Sequence, residues 1–375
     1  MERTQTLGFT VHESFFSREH SDGTITRLSV PSGMTAPNAV AVLERELPAE
    51  HFHLNYLYRI YHPAIDDKAR EKKIEQYSPN AAPCLNDRCY GRQAIQWKDY
   101  FAQCTRKMKI GVIDTFVDTR HKAFTGQEIH EETFVPDGQQ LAESGHGTGV
   151  LALLAGRPDS DTPGLVSESA FYVASIFFAG DDGGIQTDTL SLLRALEWLK
   201  DSAVQLVNMS FSGPQDNLVE ARLRKLRAKG MVFAAAAGNE GLAADPSYPA
   251  AYPQVIAVTA VDKKLHVYPS ANRGDYIDVA APGVHIWTAL PNSREGYLSG
   301  TSFAVPFMTA MLAIQRQETL HLLKDELLSQ MKITPLEAGG QNRTFGRGLL
   351  HAPSECPNAP EIATGWAPVA EVSLR

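Results

Sequence analysis

The stretch TDTLSLLRALEWLKDSAVQLVNMSFSGPQDNLVEARLRKLRAKGMVFAAAAG, residues 187–238, decides the fold class. Two amphipathic runs alternate in it with two short apolar runs. Amphipathic runs of this length predict helices, and short, continuously apolar runs predict strands that are buried on both faces. Strands that alternate with helices are typical of a parallel sheet covered by helices on both sides. In order, the predicted elements are helix Thr187–Lys200, strand Val204–Met209, helix Asn217–Lys229 and strand Met231–Ala237.

The ends of these helices carry local signals. Thr187 or Asp188 is expected to cap the first helix, because a side-chain oxygen there accepts a hydrogen bond from a free amide of the first turn. Gly230 is expected to end the second helix. The same alternation continues on both sides of the stretch without an internal repeat, and it predicts a three-layer αβα domain with a mostly parallel central sheet over residues 106–353. Further predicted strands are Lys109–Asp114, Ala170–Phe178 and Val255–Ala260.

Residues 1–105 have shorter and more mixed patterns, which predict a small N-terminal extension. Residues 354–375 are expected to form a C-terminal tail. Within the extension, the predicted elements are helix Asn38–Leu47, strand His51–Tyr61, a solvated helix or linker at Asp66–Tyr77 and a loop at Pro79–Arg92.

Length and composition exclude several classes of protein. The chain has 375 residues, of which 43% are hydrophobic and 21% charged, as in ordinary globular proteins. Its net charge of −8 argues against a nucleic-acid binder and against a polybasic membrane anchor. No apolar run of ~18 residues predicts a membrane span, and the first residues lack the apolar core of a signal peptide. The cellular location stays open: cytoplasmic as the chain stands, or outside the cytoplasm if an export signal precedes it.

Four cysteines are too few for a disulfide scaffold. Cys84 and Cys89 lie close together, whereas Cys104 and Cys356 are isolated in sequence. Either the thiols are unpaired, or Cys84 and Cys89 close a small loop, which would require an oxidising compartment. The uneven spacing disfavours a zinc site.

Four polar residues stand where such a sheet builds its sites, at strand ends and helix starts. Asp114 ends the strand KIGVID, and His146 lies between glycines in SGHGTGV, before an apolar helix. Ser302 in SGTSFAVP begins another apolar helix, and Asn239 follows a strand in AAAAGNEG. Each alone is ordinary: a loop carboxylate, a glycine turn, a helix cap and a turn amide.

Taken together, these residues supply the parts of a nucleophilic hydrolase. An Asp that orients, a His that acts as base and a Ser nucleophile form a triad, and an Asn amide can donate to an oxyanion. The chain order Asp114, His146, Ser302 is one of the known triad orders. The absence of GxGxxG after the strand KIGVID disfavours a dehydrogenase.

From about Lys107 to Pro353 the sequence resembles the subtilisin-like serine proteases, or subtilases. DTFVD resembles the Asp motif of that family, HGTGV its His motif and GTSFAVP its Ser motif, in the same order. NMSFSGP, residues 208–214, resembles the segment that pairs with substrate, and AAAAGNEG contains the oxyanion Asn. The resemblance implies the subtilisin-like fold and a serine endopeptidase that acts on proteins or peptides without a cofactor. The oligomeric state stays open.

The resemblance also implies a role for each site residue. Asp114, His146 and Ser302 would form the triad, and Asn239 the oxyanion hole. Six further residues would line the cleft and pair with an extended substrate: Ser210, Phe211, Ser212, Ala236, Ala237 and Gly238.

The sequence departs from the family pattern near the motifs. Phe116 stands where Gly is usual, Gly149 where many members have a second His, and Phe307 where His is common. The segment from Gly156 to Phe171 is short and lacks the Asn-rich loop that binds calcium in many subtilisins. Its carboxylates, Asp159 and Asp161, are expected to be solvated, so no metal site is predicted.

Several alternatives remain open at this level. Residues 1–105 are either a propeptide-like region, as subtilases often carry, or an extension that packs permanently on the catalytic domain. Two other functions are alternatives to an endopeptidase. One is an inactive binding protein of the same fold, against which the intact triad argues. The other is a hydrolase or transpeptidase that acts on esters or modified peptides.

Overall fold

The computed structural model describes residues 2–16, 24–60, 87–106, 108–315, 317–338 and 340–356. The predicted linker Asp66–Tyr77 and the tail beyond Cys356 lie outside these residues. The helices of the described chain are α1 (Glu2–Thr6), α2 (Ala36–Glu46), α3 (Tyr90–Ala94), α4 (Gly145–Ala155), α5 (Thr189–Asp201), α6 (Asn217–Ala228), α7 (Thr301–Ala313) and α8 (Lys324–Ser329). The strands are β1 (Thr10–Phe16), β2 (Thr24–Ser29), β3 (Leu57–Ile60), β4 (Lys109–Asp114), β5 (Ile129–Thr133), β6 (Ala170–Ser175), β7 (Phe178–Ala179), β8 (Ile185–Asp188), β9 (Leu206–Met209), β10 (Val232–Ala236), β11 (Val255–Val261), β12 (Val279–Pro282), β13 (Ile286–Leu290), β14 (Arg294–Leu298), β15 (Lys332–Thr334) and β16 (Leu349–His351).

A nine-stranded sheet forms the centre, in the order β15-β16-β12-β11-β10-β9-β4-β6-β5. All its pairings are parallel except that of β15 with β16 at one edge. Successive side chains of a strand point to opposite faces, so Val112 of β4 packs in one apolar cluster and Ile113 in another. The first cluster contains the apolar residues of α4 and α7, and the second those of α5 and α6. The predicted three-layer αβα fold is thus confirmed.

The helix boundaries follow the local signals. Asp188 caps α5, since its Oδ1 accepts a hydrogen bond from the Ser191 amide at 2.9 Å. Gly230 follows α6 with a φ of +93°, a conformation that costs glycine little. The predicted strand Ala170–Phe178 is too long, because β6 ends at Ser175 and β7 forms separately.

The N-terminal residues build a small unit of their own. The hairpin β1–β2 and helix α2 enclose a minor cluster around Phe9, Ala39 and Leu43. Strand β3 is shorter than the predicted strand His51–Tyr61 and belongs elsewhere, since it pairs antiparallel with β8. The chain just before β3 bonds to the start of α5 instead of forming a ladder, as the Tyr56 amide donates to Thr189 Oγ1 at 2.9 Å.

Residues 87–105 pack against the helical layer that contains α7. The predicted loop Pro79–Arg92 is wrong from Asp87 onward, where the described chain resumes. Asp87–Cys89 forms a 3₁₀ turn that leads into α3. Ile95 and Phe101 are fully buried in the same apolar cluster as α7. The division of the chain at residue 105 stays a prediction.

A disulfide joins Cys104 to Cys356, which are 252 residues apart. The expectation of unpaired thiols is therefore wrong for these two residues. Cys84 lies outside the described chain, so its pairing with Cys89 stays a prediction. Among the described helices, none is long and apolar enough to cross a membrane.

Breaking this disulfide should destabilise the fold, because the bond restricts the unfolded chain over a very long loop. We expect Cys356→Ser to lower the free energy of unfolding by about 2–4 kcal/mol, measured by denaturant titration of the oxidised protein. With reductant present, wild type and variant should become alike. Alkylation of Cys104 in the unreduced, unfolded wild type would contradict the pairing.

Candidate active site

Asp114 and His146 form a buried polar contact in the site. Asp114 is the last residue of β4, and its Oδ1 accepts hydrogen bonds from His146 Nδ1 and from the Thr115 amide, both at 2.7 Å. Both side chains are almost completely buried. Because Nδ1 donates to the carboxylate, Nε2 of a neutral His146 carries the free lone pair. Nε2 is also buried, and no group of the described chain bonds to it.

Glycine after His146 makes this contact possible. The Gly147 amide donates to Thr115 Oγ1 at 2.8 Å, which fastens the start of α4 to the end of β4. A Cβ atom at Gly147 would lie only 2.4 Å from the Thr115 carbonyl oxygen. The HG pair of the motif is therefore a packing requirement as well as a turn signal.

Ser302 is the second residue of α7, directly before a residue that contacts His146. Its Oγ donates to the carbonyl oxygen of Ser210 at 3.0 Å, and the ring of the next residue, Phe303, has its centroid 5.4 Å from that of His146. The structure thus brings Asp114 and His146 into contact and places Ser302 one residue from Phe303, which contacts His146, with the Ser302 hydroxyl directed toward Ser210.

Pro306 explains why Ser210 is tied to α7. Proline has no backbone N–H, so the carbonyl four residues earlier, that of Ser302, receives no helical hydrogen bond. Ser210 Oγ donates to this carbonyl at 2.8 Å and itself accepts from Asn208 Nδ2 at 2.9 Å. The end of β9 and the start of α7 are therefore joined through one buried hydroxyl.

Asn239 has a fixed orientation. Its Oδ1 accepts from both the amide and the hydroxyl of Thr301, each at 3.0 Å. A backbone N–H can only donate, so the amide oxygen must face Thr301 and Nδ2 must face the other way. Nδ2 lies beside Gly300, at 3.3 Å from the position that a Cβ atom would take there. The half-buried Asn239 amide is thus aimed next to the N-terminus of α7.

The predicted substrate-pairing residues lie at two strand ends. Ser210, Phe211 and Ser212 are buried directly after β9. Ala236, Ala237 and Gly238 are buried at the end of β10, where the Ala237 carbonyl accepts from Tyr276 Oη at 2.6 Å.

Strand β3 fills the gap beside Ser212. The Arg59 amide donates to the Ser212 carbonyl at 2.7 Å, and the Ser212 amide donates back at 3.1 Å. The other edge of β3 pairs with β8, in a register that places Arg59 opposite Gln186. Residues of the N-terminal region thus occupy the place where the sequence predicts a substrate strand. No pattern in the sequence predicts this placement or the role of β8.

Tyr58 anchors β3 in this gap. Its side chain is 0% exposed, its ring meets that of Phe211 edge to face at a centroid distance of 5.9 Å, and a Cβ atom at Gly213 would lie 2.5 Å from the ring. Burial, and next the nearby Asp216 carboxylate, raises the pKa of the Tyr58 phenol well above its usual value. The slot therefore fits an aromatic ring and keeps any hydroxyl on it uncharged.

The comparisons with known proteins agree with this geometry. The model described as "Subtilase family" matches residues 105–348. This chain belongs to the subtilase family. It is a subtilisin-like serine protease, a hydrolase of peptide bonds.

Several subtilases of known name are similar to this chain in sequence. The major intracellular serine protease of Bacillus subtilis (strain 168) is 30% identical over 269 residues, which are 67% of this chain and 83% of the relative. Subtilisin Savinase of Lederbergia lenta is 27% identical and covers 65% of this chain and 89% of its own. The minor extracellular protease Epr of Bacillus subtilis (strain 168) is 27% identical, and the match spans 70% of this chain but only 40% of that relative.

Among solved structures, a mutant of the protease domain of PatA has a TM-score of 0.56 and 26% identity, covering 65% of this chain and 92% of that domain. The prenylagaramide maturation protease PagA has a TM-score of 0.55 and 25% identity, covering 65% and 90%. Both share the fold of this subtilase.

The departures from the family pattern have local explanations. A Cβ atom at Gly149 would lie 2.9 Å from the Leu298 side chain, so this helix position has no room for a larger residue. Phe307 is buried, and its ring fills the space beside Gly91 of α3. Phe116 is exposed, and nothing in the structure explains it.

The short segment after α4 pairs its carboxylates with cations. Asp159 binds the Arg157 guanidinium, and Asp161 lies 2.6 Å from Lys122 Nζ. Within the described ranges, no group of three or more His, Cys, Asp or Glu side chains is arranged to hold a metal ion.

Loss of the Tyr58 ring should release β3 from the gap. In a Ser302→Ala background, we expect Tyr58→Ala to speed hydrogen exchange of the Arg59 and Ser212 amides strongly, because removing a buried aromatic ring costs about 3–5 kcal/mol. The matched control is Leu57→Ala, since Leu57 lies on the same strand but is 44% exposed. Equal exchange in the two variants would mean that Tyr58 does not hold the strand.

Proposed function

We propose that this subtilase is an endopeptidase in which Asp114, His146 and Ser302 form the catalytic triad and Asn239 forms the oxyanion hole. The observation that carries the proposal is the buried 2.7 Å hydrogen bond from His146 to Asp114. That bond fixes the ring and the tautomer of His146 in the way that a triad base requires. Ser302 directly precedes Phe303, whose ring contacts that of His146.

The first step is a reorientation of the Ser302 hydroxyl. Its Oγ leaves the Ser210 carbonyl and donates to His146 Nε2, whose lone pair has no other partner in the described chain. Catalytic hydrogen bonds often tighten only when substrate binds. His146 then takes the proton as Oγ attacks the scissile carbonyl, and Asp114 stabilises the imidazolium.

The remaining steps use the same groups. His146 delivers its proton to the leaving amine, and an acyl group stays on Ser302. A water molecule, deprotonated by His146, attacks this acyl group. The bond to Ser302 Oγ then breaks, His146 returns the proton to Oγ, and the second product leaves with a free carboxyl group. Asp114 stays ionised throughout.

Charge on the tetrahedral oxygen is stabilised at the start of α7. The Nδ2 group of Asn239 and the Ser302 amide donate to that oxygen, and the N-terminal end of the helix dipole adds to the favourable field. The two hydrogen bonds from Thr301 hold the Asn239 amide in place before the reaction, so little reorganisation accompanies it.

An extended substrate takes the place of β3. It would pair with Ser212 on one side and with β8 on the other, as an added strand. Ala236, Ala237 and Gly238 line the cleft nearer to Asn239. The proposed cleft therefore includes the edge of β8 in addition to the residues predicted from the sequence.

The N-terminal region is proposed to be an inhibitory segment, and two features favour the propeptide-like alternative. Strand β3 pairs with Ser212, where the proposal places an extended substrate. The rest of the unit meets α5 across a cavity of about 460 Å³, lined by Leu28, Val30 and Leu43 on one side and Leu190 and Leu193 on the other. Close-packed contacts are rarely this open. A structure of the related PatA protease domain is itself described as self-cleaved.

The triad is tested by substitution. Ser302→Ala or His146→Ala should remove nearly all peptidase activity while the circular dichroism spectrum stays native, because each residue is needed to move the proton. A fluorophosphonate should label the wild type at Ser302, which an inactive binding protein would not allow. Ser299→Ala is the control. Undiminished turnover by a clean Ser302→Ala protein would exclude the mechanism.

The oxyanion role of Asn239 has a separate test. We expect Asn239→Ala to lower kcat by about 10²–10³ with little change in KM, a magnitude known from such a donor in a subtilisin. Asn239→Asp keeps oxygens that can accept from Thr301 but has no N–H donor, so it should be equally slow. If only KM changes, Asn239 binds substrate instead.

Self-cleavage decides the fate of the N-terminal region. The sequence predicts a cut in the linker between Asp66 and Thr105. Because residues 90–105 are packed in the core, and proteases need locally unfolded chain, we expect the cut after β3 and before Asp87, located by mass spectrometry. Ser302→Ala should stay full length on a denaturing gel. A wild type that is both intact and active would mean a permanent extension.

A further inference from the structure

Asp182 forms an ion pair at the edge of the cleft. It lies in the turn between β7 and β8, and its Oδ2 is 2.8 Å from the guanidinium nitrogen of Arg59. The pair is partly exposed, with 44% of the Arg59 side chain and 50% of the Asp182 side chain accessible. It is a contact between the N-terminal region and the edge of the catalytic domain.

The turn orients this carboxylate. The Gly184 amide donates to Asp182 Oδ1 at 3.0 Å, so one oxygen is fixed by the backbone while the other faces Arg59. The turn is closed by hydrogen bonds from Gly180 to the Gly184 carbonyl and from Gly183 to the Gly180 carbonyl. The Gly184 amide, and next Arg59, holds the pKa of Asp182 below its usual value. Asp182 is thus charged and positioned by its own turn.

The register of β3 assigns this contact to one substrate position. Side chains along β3 alternate between the interior and solvent, so Arg59 points outward while Tyr58 and Ile60 are buried. Arg59 is also the residue that exchanges two hydrogen bonds with Ser212. Any strand bound in this register presents the side chain at Arg59's place to Asp182.

The distance to the scissile bond follows from the same register. In an antiparallel pair, a substrate residue two positions beyond Arg59's place faces Ser210, two positions before Ser212. The Ser210 carbonyl oxygen is 3.0 Å from Ser302 Oγ. The bond attacked therefore follows the substrate residue that faces Ser210, and Arg59's place is the third residue before the cut.

We propose that Asp182 is a specificity-determining residue that selects Arg or Lys at the third residue before the cleaved bond. The proposal rests on the proposed peptidase function. Since an exposed ion pair contributes modestly and is screened by salt, the preference should be roughly three- to tenfold for Arg over Glu at low salt, and smaller at about 0.5 M salt.

The first test needs no catalysis. In a Ser302→Ala background, hydrogen exchange of the Ser212 amide measures how firmly β3 is held. We expect Arg59→Glu to speed this exchange roughly three- to tenfold and a second substitution, Asp182→Arg, to restore most of the protection. Asp181→Arg is the matched control. It changes the charge by the same amount one residue away, and Asp181 makes no ion pair among the described residues. The proposal would be overturned if Asp182→Arg and Asp181→Arg restored the protection of the Ser212 amide equally, or if neither restored it.

The second test measures specificity. The enzyme expressed as the full chain, after any self-cleavage it undergoes, is incubated with a library of peptides, and mass spectrometry identifies each cut. Wild type and Asp181→Lys should show Arg and Lys enriched at the third residue before the cut, whereas Asp182→Lys should lose this enrichment and favour Asp and Glu.

The two proposals fail differently. Cleavage that depends on Ser302 but shows no basic enrichment would overturn the role of Asp182 and leave the peptidase function standing. Absence of any cleavage that depends on Ser302 would overturn the proposed peptidase function, and the exchange experiment would still decide whether Asp182 reads the charge at Arg59's place.

Discussion

The buried hydrogen bond between Asp114 and His146 sets the geometry on which the site depends. It joins the last residue of β4 to the first turn of α4, and it exists only because Gly147 lets α4 approach the Thr115 backbone. Both side chains are almost fully buried, so water cannot easily take the place of either one as the hydrogen-bond partner of the other. A parallel sheet delivers this arrangement naturally, because the carboxyl ends of its strands meet at one edge.

The start of α7 is the second fixed point of the same edge. Pro306 leaves the Ser302 carbonyl without its helical partner, and the Ser210 hydroxyl supplies one. Deeper in the layer, Thr309 Oγ1 donates to Asn208 Oδ1 at 3.1 Å, so β9 and α7 are tied at two levels. A nucleophile on a helix held in this way has little freedom beyond rotation of its own hydroxyl, which is the one movement that the proposed mechanism requires.

The N-terminal region uses the open edge that these fixed points leave. Strand β3 lies between Ser212 and β8, where backbone groups on both sides would otherwise be unpaired. Tyr58 contributes buried apolar area, which strengthens binding of the strand, and Arg59 contributes a charge that pairs with Asp182. If β3 occupies the substrate position as proposed, its residues indicate the kind of strand that the cleft accepts.

The sequence by itself determined the layers and the approximate bounds of the central helices and strands that it predicted, and it supplied the site residues of the proposal, because each depends on information within a short window. Alternating apolar strands and amphipathic helices give the parallel sheet, and Asp188 or Gly230 marks a boundary through its own backbone chemistry. The order of Asp114, His146 and Ser302 is read directly from the motifs.

Only the tertiary structure decided the contacts between distant segments. The Cys104–Cys356 bond spans 252 residues, and no local pattern distinguishes it from other pairings. The docking of β3 depends on backbone hydrogen bonds, which are the same for every residue type, and on a slot that Gly213 leaves open for Tyr58. The pairing of Arg59 with Asp182 then follows from the register of that strand, which the sequence of neither segment contains.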